Sequence, residues 1–288
     1  MQIQVNGGLG NQLFQYSYAH YARSKSGHRK VRIAVEPKLY EGDRFFLEDL
    51  ISKCNHIYSS NVYEEPIILK VLKKMESLIS IPFGVKWLSR ILIRTHPDYV
   101  FELEINKEYG IHQGYFQNWK YVEEVWHQVG TEINQKLSGI SLEAKFELET
   151  NYTVAHVRRG DYLNLQNLYG TLGANHYKEA LKAVAQDLKQ NLYIISDDDQ
   201  IGRALANQLG GIRAFGPHDL QEWEALKLMS MARCVIAANS TFSWWGSYLC
   251  HKSGGLAILP AEYFVTNNIS ANTALQYPGA RISKSIYE

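Results

Sequence analysis

Cysteine is scarce: Cys54, Cys234 and Cys250 are the only three in 288 residues, an odd number with no C-x-x-C spacing. That argues against a disulfide framework and fits reduced, buried thiols in a cytoplasmic protein. No H-E-x-x-H or cysteine cluster supports a structural or catalytic zinc. No run of roughly 18 apolar residues exists, so nothing should span a membrane. MQIQV, residues 1–5, runs straight into a strand pattern, so no signal peptide is expected. Charge of one sign is missing too. Thirty Lys and Arg stand against 29 Asp and Glu, a formal net charge of +1, which argues against a protein that coats nucleic acid. Asn151, Asn239 and Asn268 open glycosylation-type triplets. Without a secretory signal they are chance matches, and Asn239 lies in an apolar segment where a glycan has no room.

What is present suits a large α/β core. Hydrophobic residues make up 45% of the chain, with 19 tyrosines and six tryptophans, and aromatics in such numbers are expected chiefly inside. QIQVN, GGLGNQ and LFQYSYAHYARSKSG read as strand, glycine turn and helix, stopped by Gly27. VRIAVE (31–36) reads as the next strand, and helices are expected over 66–80 and 85–95. Residues 109–129 suggest a strand, a loop and a short amphipathic helix. After a polar stretch around 131–150, strands are expected at 153–159, 192–199 and 256–260 and helices at 176–190, 199–211 and 223–234, while CVIAANSTFSWWGSYLCHK (234–252) reads as strand, turn and helix. This alternation calls for parallel βαβ units in two α/β halves, 1–150 and 151–288.

Four stretches carry chemistry. In AHVRRGDY (155–162) a buried strand ends in two arginines and an aspartate. Ligands of open parallel sheets bind beyond the carboxyl ends of strands, and arginine's planar fork pairs with phosphate oxygens. His156 and Arg158 share one strand face, so Arg158 is expected to meet the ligand with His156 beside it, and Asp161 to hold Arg159. In ANSTFS (238–243) the side chains of Asn239, Ser240, Thr241 and Ser243 precede a helix. They exceed what one N-cap needs, and a phosphate contact would use the surplus. In SDDD (196–199) a D-x-D could hold a divalent metal or sugar hydroxyls, or Asp199 could cap the following helix. GGLGNQ (7–12) offers close backbone approach with Asn11 and Gln12, and departs from the dinucleotide fingerprint. Three such readers point to a phosphorylated ligand. With basic groups and no P-loop, its diphosphate is expected to be a leaving group.

GGLGNQLFQYSYAHYA, HVRRGDY, YIISDDD and ANSTFSWWGSYL stand in the order seen in α1,2-fucosyltransferases, a family this chain resembles from residue 6 to about residue 264. The resemblance implies a GT-B fold, two Rossmann-like domains facing across a cleft. The C-terminal half would bind GDP-fucose and the N-terminal half most of the acceptor. It implies inverting transfer of L-fucose to the 2-hydroxyl of a galactoside by direct displacement, with no metal and no cofactor beyond the donor. By the same resemblance Arg158 would hold the β-phosphate, with His156 beside the nucleotide and Asp197 and Asp198 near the donor. Ser240, Thr241 and Ser243 would cradle the diphosphate, and Asn11 would reach the phosphate or fucose across the cleft. Relatives often carry a guanine-reading aspartate where this chain has Ala225, with Glu222 and Glu224 close by. Asp161 is the candidate general base, since a carboxylate suits deprotonation of a hydroxyl.

Animal members carry a membrane anchor, so the resemblance implies a bacterial cytoplasmic enzyme acting on galactoside oligosaccharides, lipid-linked ones included. The stretch 69–94 mixes six basic residues with leucine and isoleucine. It reads either as a solvated helix face or as a peripheral contact with an anionic inner leaflet. Two further readings stay open: a metal-dependent transferase using Asp197–Asp199, and a non-catalytic sugar-nucleotide or glycan-binding protein.

Overall fold

The structure is a computed structural model that describes residues 1–27, 30–35, 44–60, 93–101, 110–266 and 268–288. It forms two compact units, Met1–Glu132 and Ile133–Glu288. The division falls inside a helix, where the sequence reading set a boundary near residue 150.

In the first unit the elements run β1 (Gln2–Val5), α1 (Leu9–Ser26), β2 (Val31–Val35), α2 (Glu48–Ser52) and β3 (Ile57–Ser60). They continue with β4 (Ile93–Thr95), β5 (Ile111–Gln113), α3 (Trp119–Glu124) and α4 (Trp126–Ser138), which crosses into the second unit. The strands form a parallel sheet in the order β3-β2-β1-β5-β4. Strand order therefore reverses between β1 and β5. α1 ends at Gly27, whose φ of 70° suits the left-handed closing position of a helix. The core here is aromatic as expected. Tyr16, Tyr18 and Tyr21 are fully buried, and Tyr18 stacks on Phe116 with ring centroids 3.6 Å apart. The helix expected over 66–80, residues 85–92 of that expected over 85–95, and most of the basic 69–94 stretch lie outside the described residues. The end of the second expectation is corrected, because Ile93–Thr95 is strand β4, paired with β5.

The second unit runs β6 (Thr153–Val157), a 3₁₀ turn (Gly160–Asn164), α5 (Ala174–Leu181), α6 (Gln186–Gln190), β7 (Leu192–Ser196) and α7 (Asp199–Leu209). Then come β8 (Arg213–Phe215), α8 (Glu222–Met231), β9 (Cys234–Ile236), α9 (Thr241–Lys252), β10 (Leu256–Pro260), α10 (Ile269–Leu275) and β11 (Arg281–Ser283). The sheet order is β11-β10-β9-β6-β7-β8, parallel throughout. β6 and β7 are buried at every position, as strands covered on both faces must be. Trp244 and Trp245 are fully buried in the packing of α9, and Trp244 Nε1 donates to the Leu275 carbonyl at 2.6 Å. The helix expected over 176–190 is broken. Ala183 and Val184 make i→i+3 bonds back to Ala180 and Leu181, which tighten and end α5. Arg281 takes the freed Ala183 carbonyl at 3.1 Å. Cys234 and Cys250 are buried free thiols, with burial pushing each up to about 12. Cys54 is free but only partly buried, against the expectation that all three are inside.

Candidate active site

Strand order in the second sheet reverses between β6 and β9, because β7 and β8 extend to one side and β10 and β11 to the other. The crevice beyond the carboxyl ends at such a point is where open parallel sheets bind ligands. The residues that leave β6 are Arg158 to Tyr162, and those that leave β9 are Ala237 to Ser240, so two of the four motifs meet there.

The β6–β7 register pairs Val157 with Ser196, which sets Arg158 beside Asp197. Asp197 Oδ1 accepts the Arg159 backbone N–H at 2.7 Å, and Oδ2 lies 2.7 Å from Arg158 Nη1. Gly160 turns at φ +22°, and a Cβ there would sit 2.7 Å from Asp197 Oδ2; the glycine of RRGD makes room for this carboxylate. Arg158 also pairs through Nη2 with Asp161 Oδ1 at 2.6 Å, with side chains 32% and 60% exposed. The guanidinium lies 5.5 Å from the Tyr162 ring centroid. Asp161 therefore braces Arg158, correcting the expectation that it holds Arg159. Arg159 points inward, 4% exposed, and its Nη1 is held at 2.6 Å by Glu288 Oε2.

His156 is buried against Phe242, ring centroids 5.2 Å apart. Burial, and secondly the Arg158 charge, push its pKa down to about 3, so the ring is neutral at working pH. Its Nδ1 has no hydrogen-bond partner, while its backbone carbonyl accepts from Tyr177 Oη at 2.9 Å.

At the end of β9, Asn239 is 2% exposed. Its Nδ2 donates to the Tyr169 carbonyl at 2.8 Å and the Tyr263 carbonyl at 3.3 Å, and its Oδ1 is buried without a partner. Ser240 caps α9, its Oγ accepting from Ser243 N at 3.1 Å. Ser243 Oγ accepts from Ala238 N at 2.7 Å. Three of the four small residues thus brace the loop. Thr241 opens the helix, whose first turn presents N–H groups that have no intrahelical acceptor.

The three aspartates of SDDD have separate tasks. Asp198, not Asp199, caps α7, its Oδ1 accepting from Gln200 N at 2.9 Å and Ile201 N at 3.0 Å. Asp199 Oδ2 lies 3.9 Å from His218 Nε2. Glu224 sits in α8, closing a capping box with Gln221 and pairing with Lys145. In the first unit Gly7 turns at φ +73° with its α-hydrogen side against Asn11. Asn11 Oδ1 accepts from Gln117 Nε2 at 2.9 Å. Gln12 is fully buried, donating to the Gly7 and Arg44 carbonyls at 2.7 and 2.9 Å.

Sequence reasoning missed Tyr162, Tyr177 and Glu288. Tyr162 follows RRGD directly, and its hydroxyl donates to the Asn239 carbonyl at 3.0 Å, tying the two motifs together. Glu288 has no local signal, since its partner lies 129 positions away.

The model of the family described as Glycosyl transferase family 11 matches residues 1–272. The O-antigen biosynthesis glycosyltransferase WbnK of Escherichia coli is 25% identical over 298 residues, covering 93% of this chain and 96% of its own. An alpha-1,2-colitosyltransferase of Escherichia coli is 26% identical over 299 residues, covering 98% of each. Among solved structures, E. coli heptosyltransferase WaaC with ADP aligns at a TM-score of 0.51 with 12% identity, over 99% of this chain and 93% of that one. A family 9 glycosyl transferase from Veillonella parvula aligns at 0.52 with 8% identity, over 100% and 87%. These two likenesses concern the fold, which is α/β of the GT-B class, with two parallel sheets.

Proposed function

This chain belongs to glycosyl transferase family 11, and from that premise we propose that it moves L-fucose from GDP-β-L-fucose to the 2-hydroxyl of a terminal galactoside. The product is an α1,2 linkage, formed with inversion, in the building of an O-antigen repeat. The observation that carries this reading is Arg158, held at the β6–β9 crevice by two carboxylates and still 32% exposed. A diphosphate arriving there meets a fixed guanidinium, the first turn of α9, and the unpartnered polar atoms of His156 and Asn239.

In this reading the acceptor oxygen attacks the anomeric carbon opposite the diphosphate. The carbon–oxygen bond to the β-phosphate breaks, its electron pair leaves with GDP, and Arg158 stabilises the charge that develops. The acceptor proton passes to Asp161, which the incoming diphosphate releases by competing for Arg158. His156 serves the nucleotide as a neutral ring. Asp197 acts through the arginines, one oxygen taking the Arg159 backbone N–H and the other ion-paired with Arg158, and the transfer is taken to need no metal. The Ile133–Glu288 unit is assigned the donor. The Met1–Glu132 unit, with Asn11 among its hydrogen-bonding groups, is assigned mainly the acceptor. A relative named for an α1,2-colitosyl product favours a second donor sugar within the same linkage chemistry.

The test is incubation of the purified protein with GDP-fucose or a nucleotide-linked colitosyl donor, β-galactosides and excess EDTA, with products analysed by NMR. A fucosyl-α1,2-galactoside is expected. Preference for the colitosyl donor would reassign the sugar, and loss of turnover on EDTA addition that excess Mg²⁺ or Mn²⁺ reverses would restore the metal-dependent reading of Asp197–Asp199.

A further inference from the structure

A second cluster of chemically capable side chains lies in the Met1–Glu132 unit, and none of its members is among the site residues named above. Its members come from three elements: His20 and Tyr16 from one face of α1, Cys54 from just beyond α2, and Glu132 from α4. A ring nitrogen of His20, Cys54 Sγ and a Glu132 carboxylate oxygen all lie within 4.8 Å of one another. Among the described residues this is the one group of three His, Cys, Asp or Glu ligand atoms gathered so closely.

The His20 ring poses a problem in this setting. It is 1% exposed, yet neither ring nitrogen has a hydrogen-bond partner. Its Nε2 stands 3.4 Å from Glu132 Oε2, a histidine–carboxylate contact, and its ring meets Tyr16 edge-on with centroids 4.6 Å apart. Buried polar groups in native proteins are almost always satisfied, and an exception calls for an explanation, such as strain, a catalytic role, or a water or ion at the site. Glu132, by contrast, is oriented. Tyr16 Oη donates to its Oε2 at 2.6 Å and Gln128 Nε2 to its Oε1 at 3.3 Å, as outer-shell partners orient a ligating carboxylate.

We propose that His20 Nε2, Cys54 Sγ and Glu132 Oε2 bind a borderline-soft divalent cation, Zn²⁺ rather than Mg²⁺. One thiolate, one imidazole and one carboxylate form a ligand set that suits zinc, whereas a hard cation selects oxygen ligands alone. A tetrahedral zinc with bonds of about 2.0–2.3 Å sets its ligand atoms about 3.3–3.8 Å apart, so the cluster closes by about an ångström on binding. The short loop that carries Cys54 can supply that movement. Cys54 and Glu132 are both partly exposed, which leaves an entry path and a fourth position for water. Binding sends the Cys54 thiol proton to solvent, with no change of oxidation state. The ion would cross-link α1, α4 and the loop after α2, a structural role separate from sugar transfer.

The full chain, stripped with a chelator and dialysed, is titrated with Zn²⁺ against a chromophoric competitor, and in parallel with Co²⁺. One equivalent of Zn²⁺ is expected, undisturbed by excess Mg²⁺ and accompanied by a rise in Tm. Co²⁺ should give a thiolate charge-transfer band. Cys54→Ser should abolish that band and weaken Zn²⁺ binding at least about 100-fold, while Tyr16→Phe should weaken it about 10- to 100-fold. His20→Gln is expected to match Cys54→Ser; should it fail to fold, Cys54→Ser, altered at a partly exposed position, decides the question. Failure of the wild type to hold one equivalent, or Cys54→Ser binding Zn²⁺ like the wild type, would overturn the assignment.

Discussion

Asp197 is the side chain on which the geometry of the β6 end depends. It takes the Arg159 backbone N–H with one oxygen and Arg158 with the other, in space that only the missing Cβ of Gly160 leaves open. His156, two positions before Arg158, supplies a pH dependence. Its folded pKa is lowered from 6.5 to about 3, by burial first and the Arg158 charge second. The unfolded chain therefore binds the extra proton below pH 6.5, and the stabilising contribution, complete above that pH, is lost as pH falls toward 3. Unfolding free energy should drop across this window with a slope of up to about 1.4 kcal/mol per pH unit from this one group. Denaturant titrations at a series of pH values check this. His156→Asn should flatten the slope, and an unchanged slope would mean that the ring is protonated in the folded chain. At this scale the sequence was informative where residues are neighbours. AHVRRGDY placed His156 within a strand and Arg158 at its end, and β6 closes at Val157, between them. It misassigned Asp161 to Arg159, because the true partner, Glu288, comes from a distant segment that no local pattern links to it.

The elements that matter most are β6, β9 and the helices that follow their neighbours. Strand–helix alternation was legible from the apolar runs that became β6 and β7 and from Gly27 at the end of α1, whereas the cap of α7 is Asp198 in place of the Asp199 that the sequence offered. β8 and β11 were missed because each is three residues long with exposed positions, too short for a period of two to stand out. The helix expected over 176–190 was misread because Val184 keeps the apolar spacing although the backbone has already turned; it is buried from outside the helix. The tasks of SDDD show how a motif divides once its element forms. Asp198 Oδ1 accepts two N–H groups at the start of α7, so Asp198→Ala should cost about 1 kcal/mol of stability. Asp198→Asn, an equally good cap, should keep both stability and GDP affinity. Chemical denaturation with parallel GDP titration checks both variants. A large loss of GDP affinity in the asparagine variant would place the Asp198 charge in the donor site instead.

At the scale of the whole molecule, each unit is a parallel sheet with one reversal of strand order, with the GGLGNQ turn leaving β1 at one reversal and RRGDY and ANS leaving β6 and β9 at the other. Family membership over residues 1–272 agrees with that pattern, and among the described residues no helix is long and apolar enough to cross a membrane. The central claim is that the β6–β9 crevice takes a nucleoside diphosphate through Arg158. Calorimetric titration of GDP into the wild type, Arg158→Ala and Arg158→Lys tests it most directly, with circular dichroism confirming that each variant is folded. The account predicts that alanine weakens GDP binding roughly 10- to 100-fold, the worth of hydrogen bonds to a charged group. Lysine should recover little, since a point charge lacks the guanidinium fork. Wild-type GDP affinity in Arg158→Ala would contradict it.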